Sequence, residues 1–354
     1  MRVLIGRARV TVKAIFIFSS IVIGGLIVGC GSNTGHPDVS KTKLDLSTRR
    51  LDVDLAKLDT NNVAAGLAQL SGKYPDFLGF YLDTLMGFGI HGNYQDTVAG
   101  IRLGLKPFLS HKDIRGLFDT VAAHYPDTKN VDEQISEAFR YMKHYYPAFP
   151  IPKIVYLVTG LNQWSVITVD TSIVGIGLDM YLGQQYPFYS AVQIPAYVIR
   201  KCTPQYIATN MMQAIYRDRR PLVGGDRNLL DMILQMGKEQ YFLSKMLPET
   251  PDTVRIGFTK AQLDWCEANE AEVYNFFVTK NLFYETNPNK VIRFISDGPN
   301  TAGMPPEAPG NVGTWLGYRI IKSYTDQHPD YDLNKILAAG DPQRILQESK
   351  YKPK

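Results

Sequence analysis

The chain has 354 residues, 45% of them hydrophobic and 20% charged, with 38 Lys+Arg against 34 Asp+Glu and a formal net charge of +4. Gly (29) and Pro (21) are scattered without a period and Cys occurs only three times. Collagen-like, low-complexity and disulfide-scaffold classes are therefore excluded, and an ordinary globular chain long enough for a sizeable core remains. The basic excess raises the question of a nucleic-acid or anionic-membrane partner, and the answer lies in where the charges sit.

They sit at the front. Arg2, Arg7, Arg9 and Lys13 fall within residues 1–29, which hold no acid, and the other 325 residues balance 34 basic against 34 acidic side chains. A neutral chain without a basic stripe cannot neutralise phosphates, so no nucleic-acid partner is expected. Ala14 to Val28 (AIFIFSSIVIGGLIV) is an apolar run. It is short of the roughly 20 residues of a spanning helix and fits the about 7–15 of a secretory signal core. Ile27-Val28-Gly29-Cys30 then resembles the bacterial lipobox, in which cleavage precedes a diacylated cysteine. Residues 1–29 thus read as a lipoprotein signal peptide and Cys30 as the lipid attachment site. Two or three acyl chains, each methylene contributing about 0.8 kcal/mol, hold such a protein on a membrane almost irreversibly. Residues 30–45, which include GSNTGHPDVS, read as a flexible tether, and 46–354 as a single α+β domain. No Asp follows Cys30. By resemblance to bacterial sorting rules, the mature domain is expected in the periplasm, lipid-anchored to the inner or outer membrane of the cell envelope.

The domain is expected to be helical up to about residue 150. Leu51-Asp-Val-Asp-Leu55 alternates and predicts a short strand, while Val63 to Leu70 and Asp76 to Met86 predict helices separated by Gly72-Lys-Tyr-Pro75. Ser110 and Asn130 are candidate N-caps, each with a carboxylate three residues on at Asp113 and Glu133. Ile135, Ala138, Phe139 and Met142 recur at helical spacing. Lys153 to Thr159, Trp164 to Val169 and Ser172 to Ile176 are β-branched and aromatic, which predicts a small meander, antiparallel or mixed.

Long helices follow. Thr203-Pro204 caps one running to about Arg219, Asp226 opens one to about Met246, and the capping box Thr259-Lys-Ala-Gln262 starts one to about Lys280. Asp297 to Gly310 is a long proline-rich loop, read as either a binding loop or a connector. Gly313 and Gly317 share one face of the next helix. Because glycine costs about 1 kcal/mol in a helix, that pair predicts close approach by another element. Asp341-Pro342 caps the last helix. Strands confined to one stretch among helices argue for an α+β fold, mainly helical with a small sheet.

Catalytic signatures are missing. The six histidines never pair at helical metal-site spacing, HExxH, HxxEH and GxSxG are absent, and no cofactor or metal is expected. Asp170 and Asp179 flank the third strand and form the one candidate carboxylate pair for acid and base work, with turn and terminus roles as the plainer alternative. Cys202 and Cys266 lie in apolar helical patterns, so either a bridge between them or two buried thiols is open.

Four ordered blocks then carry a resemblance: VDTSIVGIGLDMYLGQQYPFY (169–189), IPAYVIRKCTPQYIATNMMQAIY (194–216), LLDMILQMGKEQYFLSKMLP (229–248) and PGNVGTWLGYRIIKSY (309–324). With the lipobox they resemble the gliding motility lipoprotein GldB family of the Bacteroidetes. The resemblance implies an envelope lipoprotein whose partners belong to the gliding and type IX secretion machinery. The succession of sheet, long helix and second helix is similar, more distantly, to gluzincin-type zinc peptidases. That similarity implies a degenerate zincin-like part from about residue 151. Asn210-Met211-Met212-Gln213-Ala214 stands where HExxH belongs, and Glu239 is near the third ligand, although a solvated helix residue beside Lys238 is the simpler reading of Glu239. Asn210, Gln213 and Glu239 are therefore the candidate residues of a degenerate cleft without zinc. A non-catalytic binding or assembly component is the resulting expectation, with a metallopeptidase-like or other hydrolase using an atypical carboxylate site as the alternative. Asp-Thr-aliphatic triplets at Thr84, Thr97, Thr120 and Thr253 resemble Bacteroidetes O-glycosylation sequons.

Overall fold

A computed structural model describes residues 35–161, 172–221 and 227–354, together with the backbone of 166–169. Cys30, Asp170 and Asp226 lie outside the described residues. The body from Pro37 to Lys354 forms one compact unit, mainly helical with a small sheet.

The sheet contains β1 (Thr48–Arg50), β2 (Lys153–Leu157), β3 (Val166–Val169) and β4 (Ile173–Gly177), in the order β1-β2-β4-β3. β1, β2 and β4 run parallel, and β3 pairs antiparallel along the outer side of β4. The expected meander is thus corrected in its middle. The chain leaves β2, passes to the far edge as β3 and turns back into β4, which settles between them. Burial explains why. All five residues of β4 and the last four of β2 are buried, the pattern of strands covered on both faces, whereas a meander with one wet face would alternate.

Leu51 to Leu55 is a second correction, since Leu51–Ala56 is helical. Leu51 and Leu55, one turn apart, are both fully buried, and so is Asp52. The Asp52 carboxylate faces inward because Arg50 donates to it from Nε and Nη2, the latter at 2.7 Å. The alternation Leu-Asp-Val-Asp-Leu therefore does not separate a wet face from a dry one.

Helix starts shift by one or two residues. The Lys112–His124 helix is capped by His111, whose Nδ1 accepts from Asp113 N–H, and Ser110 instead ends the preceding Lys106–Ser110 helix. The Lys129–Tyr145 helix begins after Thr128 rather than Asn130. Over Phe80–Leu85 the expected helix is wound as a π turn. The Thr259 capping box forms as read, but its helix ends at Ala268 and a second one, Glu270–Thr279, comes next. Asn269 divides them, with its backbone N–H and its side-chain amide both donating to Trp265 O, at 3.0 and 2.7 Å.

Two long helices pack against each other. Leu229–Met246 is buried along most of its length and crosses Val312–Gln327 at glycine. A Cβ on Gly317 would lie 2.0 Å from Ile233 O, and one on Gly237 would lie 2.3 Å from the Gly317 carbonyl. The close approach expected from Gly313 and Gly317 is real: Gly317 meets the backbone of the Leu229–Met246 helix, and a Cβ on Gly313 would lie 2.6 Å from Phe294 O of the Pro288–Ile295 helix. No helix among the described residues is long and apolar enough to cross a membrane.

Candidate functional site

Thr203 leads through a short 3-10 turn, Pro204–Tyr206, into the Ile207–Arg219 helix, which lies against β3 and β4. Asn210, Gln213, Ala214 and Arg217 recur at helical spacing on one face of it. They look toward Met236, Glu239 and Gln240, which share one face of the Leu229–Met246 helix. Between these faces opens a cleft of about 650 Å³. Its other walls are Met180 and Tyr181 just after β4, the Tyr197–Cys202 segment, Val254–Gly257, and Ile295–Asp297 with Asn311 and Thr314. The sequence candidates Asn210, Gln213 and Glu239 thus line one cavity.

Glu239 is not a solvated helix residue beside Lys238: it is 2% exposed and sits in the cleft wall. Its carboxylate is fully engaged. Arg217 Nε donates to Oε2 at 2.7 Å and Arg217 Nη2 to Oε1 at 2.9 Å, while Gln213 Nε2 donates to Oε1 at 2.5 Å. The bidentate geometry is the strong form of a charge-assisted pair. One helical turn back, Asn210 Nδ2 donates to Tyr181 Oη at 2.8 Å.

Asp297 is held more loosely, its side chain 43% exposed and its Oδ2 paired with Lys201 Nζ at 2.7 Å. Lys201 reaches it by passing over Gly257, whose φ of +84° ends the Asp252–Ile256 helix; a Cβ there would lie 2.5 Å from Lys201 Nζ. Arg255, the third cation of the wall, donates to Asp252 and has its pKa lowered by burial. Both cleft carboxylates are therefore neutralised in place.

A zinc site does not fit this arrangement. No histidine lines the cleft, where Asn210 and Ala214 stand one helical turn apart, and the buried acid Glu239 has a side-chain donor on each oxygen from Arg217 and Gln213. Among the described residues there is no group of three or more His, Cys, Asp or Glu placed to hold a metal ion. Asp179, the described member of the alternative carboxylate pair, is fully buried outside the cleft. Its Oδ2 accepts from Thr159 N, Thr159 Oγ1 and Leu161 N at 3.0, 3.1 and 2.8 Å, and burial nonetheless raises its pKa. It ties down the exit from β2 and is not among the residues that line the cleft.

Cys202 and Cys266 are both buried free thiols, so no bridge joins them. Burial pushes them up to about 11 and about 12 respectively, which suits inert packing.

Sequence reading missed Arg217, Thr209, Gln240, Lys201 and Asp297 as parts of the cleft. Arg217 carried a usable signal, since it continues the Asn210, Gln213, Ala214 face by one more turn. Lys201 and Asp297 are far apart in the chain and had none.

A profile describing the gliding motility protein GldB matches residues 32–353, nearly the whole described body. Among curated proteins and solved structures, none matches the chain.

Proposed function

The chain belongs to the gliding motility protein GldB family, and we propose that it works as a non-catalytic binding or assembly component of the gliding machinery and of the type IX secretion apparatus linked to it. It is held to an envelope membrane by lipid on Cys30, with residues 46–354 in the periplasm. Its folded part is a degenerate zincin-like unit whose cleft keeps the shape of a substrate site and has exchanged hydrolysis for recognition. The observation that carries the reading is the Glu239 carboxylate saturated by Arg217 and Gln213. A guanidinium and an amide satisfy the buried acid without any ion. A carboxylate engaged by its own side-chain donors in this way supports a recognition role over metal-assisted hydrolysis. The bidentate Arg217–Glu239 pair holds the polar wall of the cleft in place, which favours a preformed recognition surface.

Anchor and role are tested together in cells. A Cys30→Ala strain should lose the protein from the membrane fraction and stop gliding, whereas normal gliding by that strain would overturn the proposal.

A further inference from the structure

Between Asp179 and Arg200 the chain runs from Met180 to Ile199 without a charged side chain, although it is 20% charged as a whole. The other long run of this kind beyond residue 37, 154–169, opens with Ile154, Val155, Tyr156 and Leu157, all buried in the sheet. Burial does not account for 180–199. After Leu182 the segment comes to the surface as two short helices, Pro187–Ala191 and Ala196–Ile199, joined through Gln193 at a φ of +61°. Phe188 and Val192 are 43% and 48% exposed, and Val192 N–H donates to Phe188 O at 2.9 Å, so the two side chains stand one helical turn apart. Pro187, Ala191, Pro195 and Ala196 around them are exposed too. Tyr189 fixes the segment from beneath: it is fully buried, its hydroxyl donating to Asp179 O at 2.8 Å and accepting from Leu182 N–H at 2.9 Å. Apolar side chains held outward on a fixed, uncharged base mark a contact surface.

The attachment of the chain points to what that surface meets. Val39 is 7% exposed and belongs to the hydrophobic core, so the fold takes hold of the chain there. Cys30 is nine residues away. Those residues reach at most about 32 Å, less than the roughly 50 Å across a globular body of this length. On so short a leash the surface of the body meets the bilayer at an effective concentration of about millimolar. The segment also suits a lipid surface chemically. Aliphatic and aromatic side chains are favoured at the boundary of headgroups and acyl chains, and charges are costly there. The exposed polar positions, Gln184, Gln185, Ser190 and Gln193, are uncharged as well, whereas the polar rim of a protein–protein interface accepts charges. Resting on the lipid anchor proposed above, we infer that segment 184–196 lies in the outer part of a membrane leaflet, with Phe188 and Val192 below the headgroups, and sets how the tethered body is turned. Tyr197 and Val198, next in the chain, wall the cleft, which this orientation holds at the bilayer surface.

The test uses the full-length chain reconstituted in vesicles of three parts phosphatidylethanolamine to one part phosphatidylglycerol, carrying nitroxide lipids with the nitroxide either just below the headgroups or at the bilayer centre. A fluorophore is attached at Ala191→Cys and, for comparison, at Val278→Cys on another exposed helix position; the unaltered chain, with Cys202 and Cys266 buried, supplies the background. An interfacial element enters only about 5–10 Å, so the Ala191→Cys fluorophore should lose most of its emission to the shallow nitroxide and little to the deep one. The Val278→Cys fluorophore should keep its emission with both. Adding Phe188→Ser and Val192→Ser to Ala191→Cys should relieve most of the shallow quenching with the thermal midpoint unchanged, because both side chains are exposed in the fold. No quenching at Ala191→Cys, or equal quenching at the two positions, would overturn the inference. So would a photo-crosslinking residue at position 191 that joins a protein in place of lipid in cells, since the surface would then belong to a protein partner. Intact mass of the reconstituted chain judges the anchor separately: an unmodified Cys30 removes the lipid attachment, and the quenching still decides whether the segment enters the bilayer.

Discussion

Arg217 grips both oxygens of the buried Glu239 carboxylate from the solvent side, its own side chain 55% exposed and that of Glu239 2% exposed. The asymmetry decides what each substitution does. Arg217→Met leaves a buried charge with Gln213 as its one remaining donor and should destabilise by about 1–3 kcal/mol. Glu239→Gln frees a guanidinium that water can solvate, so its cost should be smaller. The double variant should recover most of the loss of Arg217→Met. Urea unfolding of the four proteins checks this, and equal losses for the two single variants would argue against the clamp.

The crossing of the two central helices is a steric matter. A methyl group at Gly317 would meet Ile233 O at 2.0 Å, and backbone cannot yield there as a flexible side chain can. Gly317→Ala should cost at least about 3 kcal/mol or prevent folding. Gly116 is the contrasting case. It lies inside the Lys112–His124 helix with nothing within 4 Å of an added Cβ. Gly116→Ala should therefore stabilise by about 0.5–1 kcal/mol. Effects of the same sign would contradict the packing described.

Lys238 supplies a pH signature. It is 1% exposed, donates to Ala339 O, and burial brings its ammonium down to about 8 from 10.5. Below the folded value both states hold the proton and the desolvation penalty is present in full. Between the two values the unfolded chain keeps a proton that the folded chain has shed, so this residue makes stability rise with pH. The unfolding free energy of the unaltered chain minus that of Lys238→Met should climb by on the order of 2–3 kcal/mol from about pH 8 to about pH 10.5. A flat difference would mean that Lys238 is solvated in the fold.

The two thiols are a check on the compartment as well as the core. Cys202 and Cys266 are buried, and burial raises both well above the ordinary thiol range. In the native protein they should react with a disulfide reagent far more slowly than after denaturation, and intact mass should show both reduced even when the protein is isolated from an oxidising envelope. Rapid native reaction, or loss of two mass units to a bridge, would refute the packing.

Much of the frame was legible because local chemistry specified it. The Thr259 box and the Asp341 cap formed as written, the latter accepting from Gln343 and Arg344 N–H, and the Gly313 and Gly317 pair announced a close contact. What was not legible is non-local. Apolar runs located β2, β3 and β4 without saying that β4 lies between the other two, because pairing order is not written in any one strand. Alternation misread Leu51 to Leu55 because an ion pair with the part-buried Arg50 put Asp52 inside. In the site, helical spacing brings Asn210, Gln213 and Arg217 onto one face, but the saturation of Glu239 depends on how two helices dock, and that carries the functional reading.

The most direct measurement is the metal content of the full-length chain isolated from native membranes without chelator, by mass spectrometry of the metal, alongside Glu239→Gln. The clamp predicts zinc far below one ion per chain in both proteins. One zinc per chain that disappears in Glu239→Gln would show that Glu239 is a ligand and that the cleft is a metal centre.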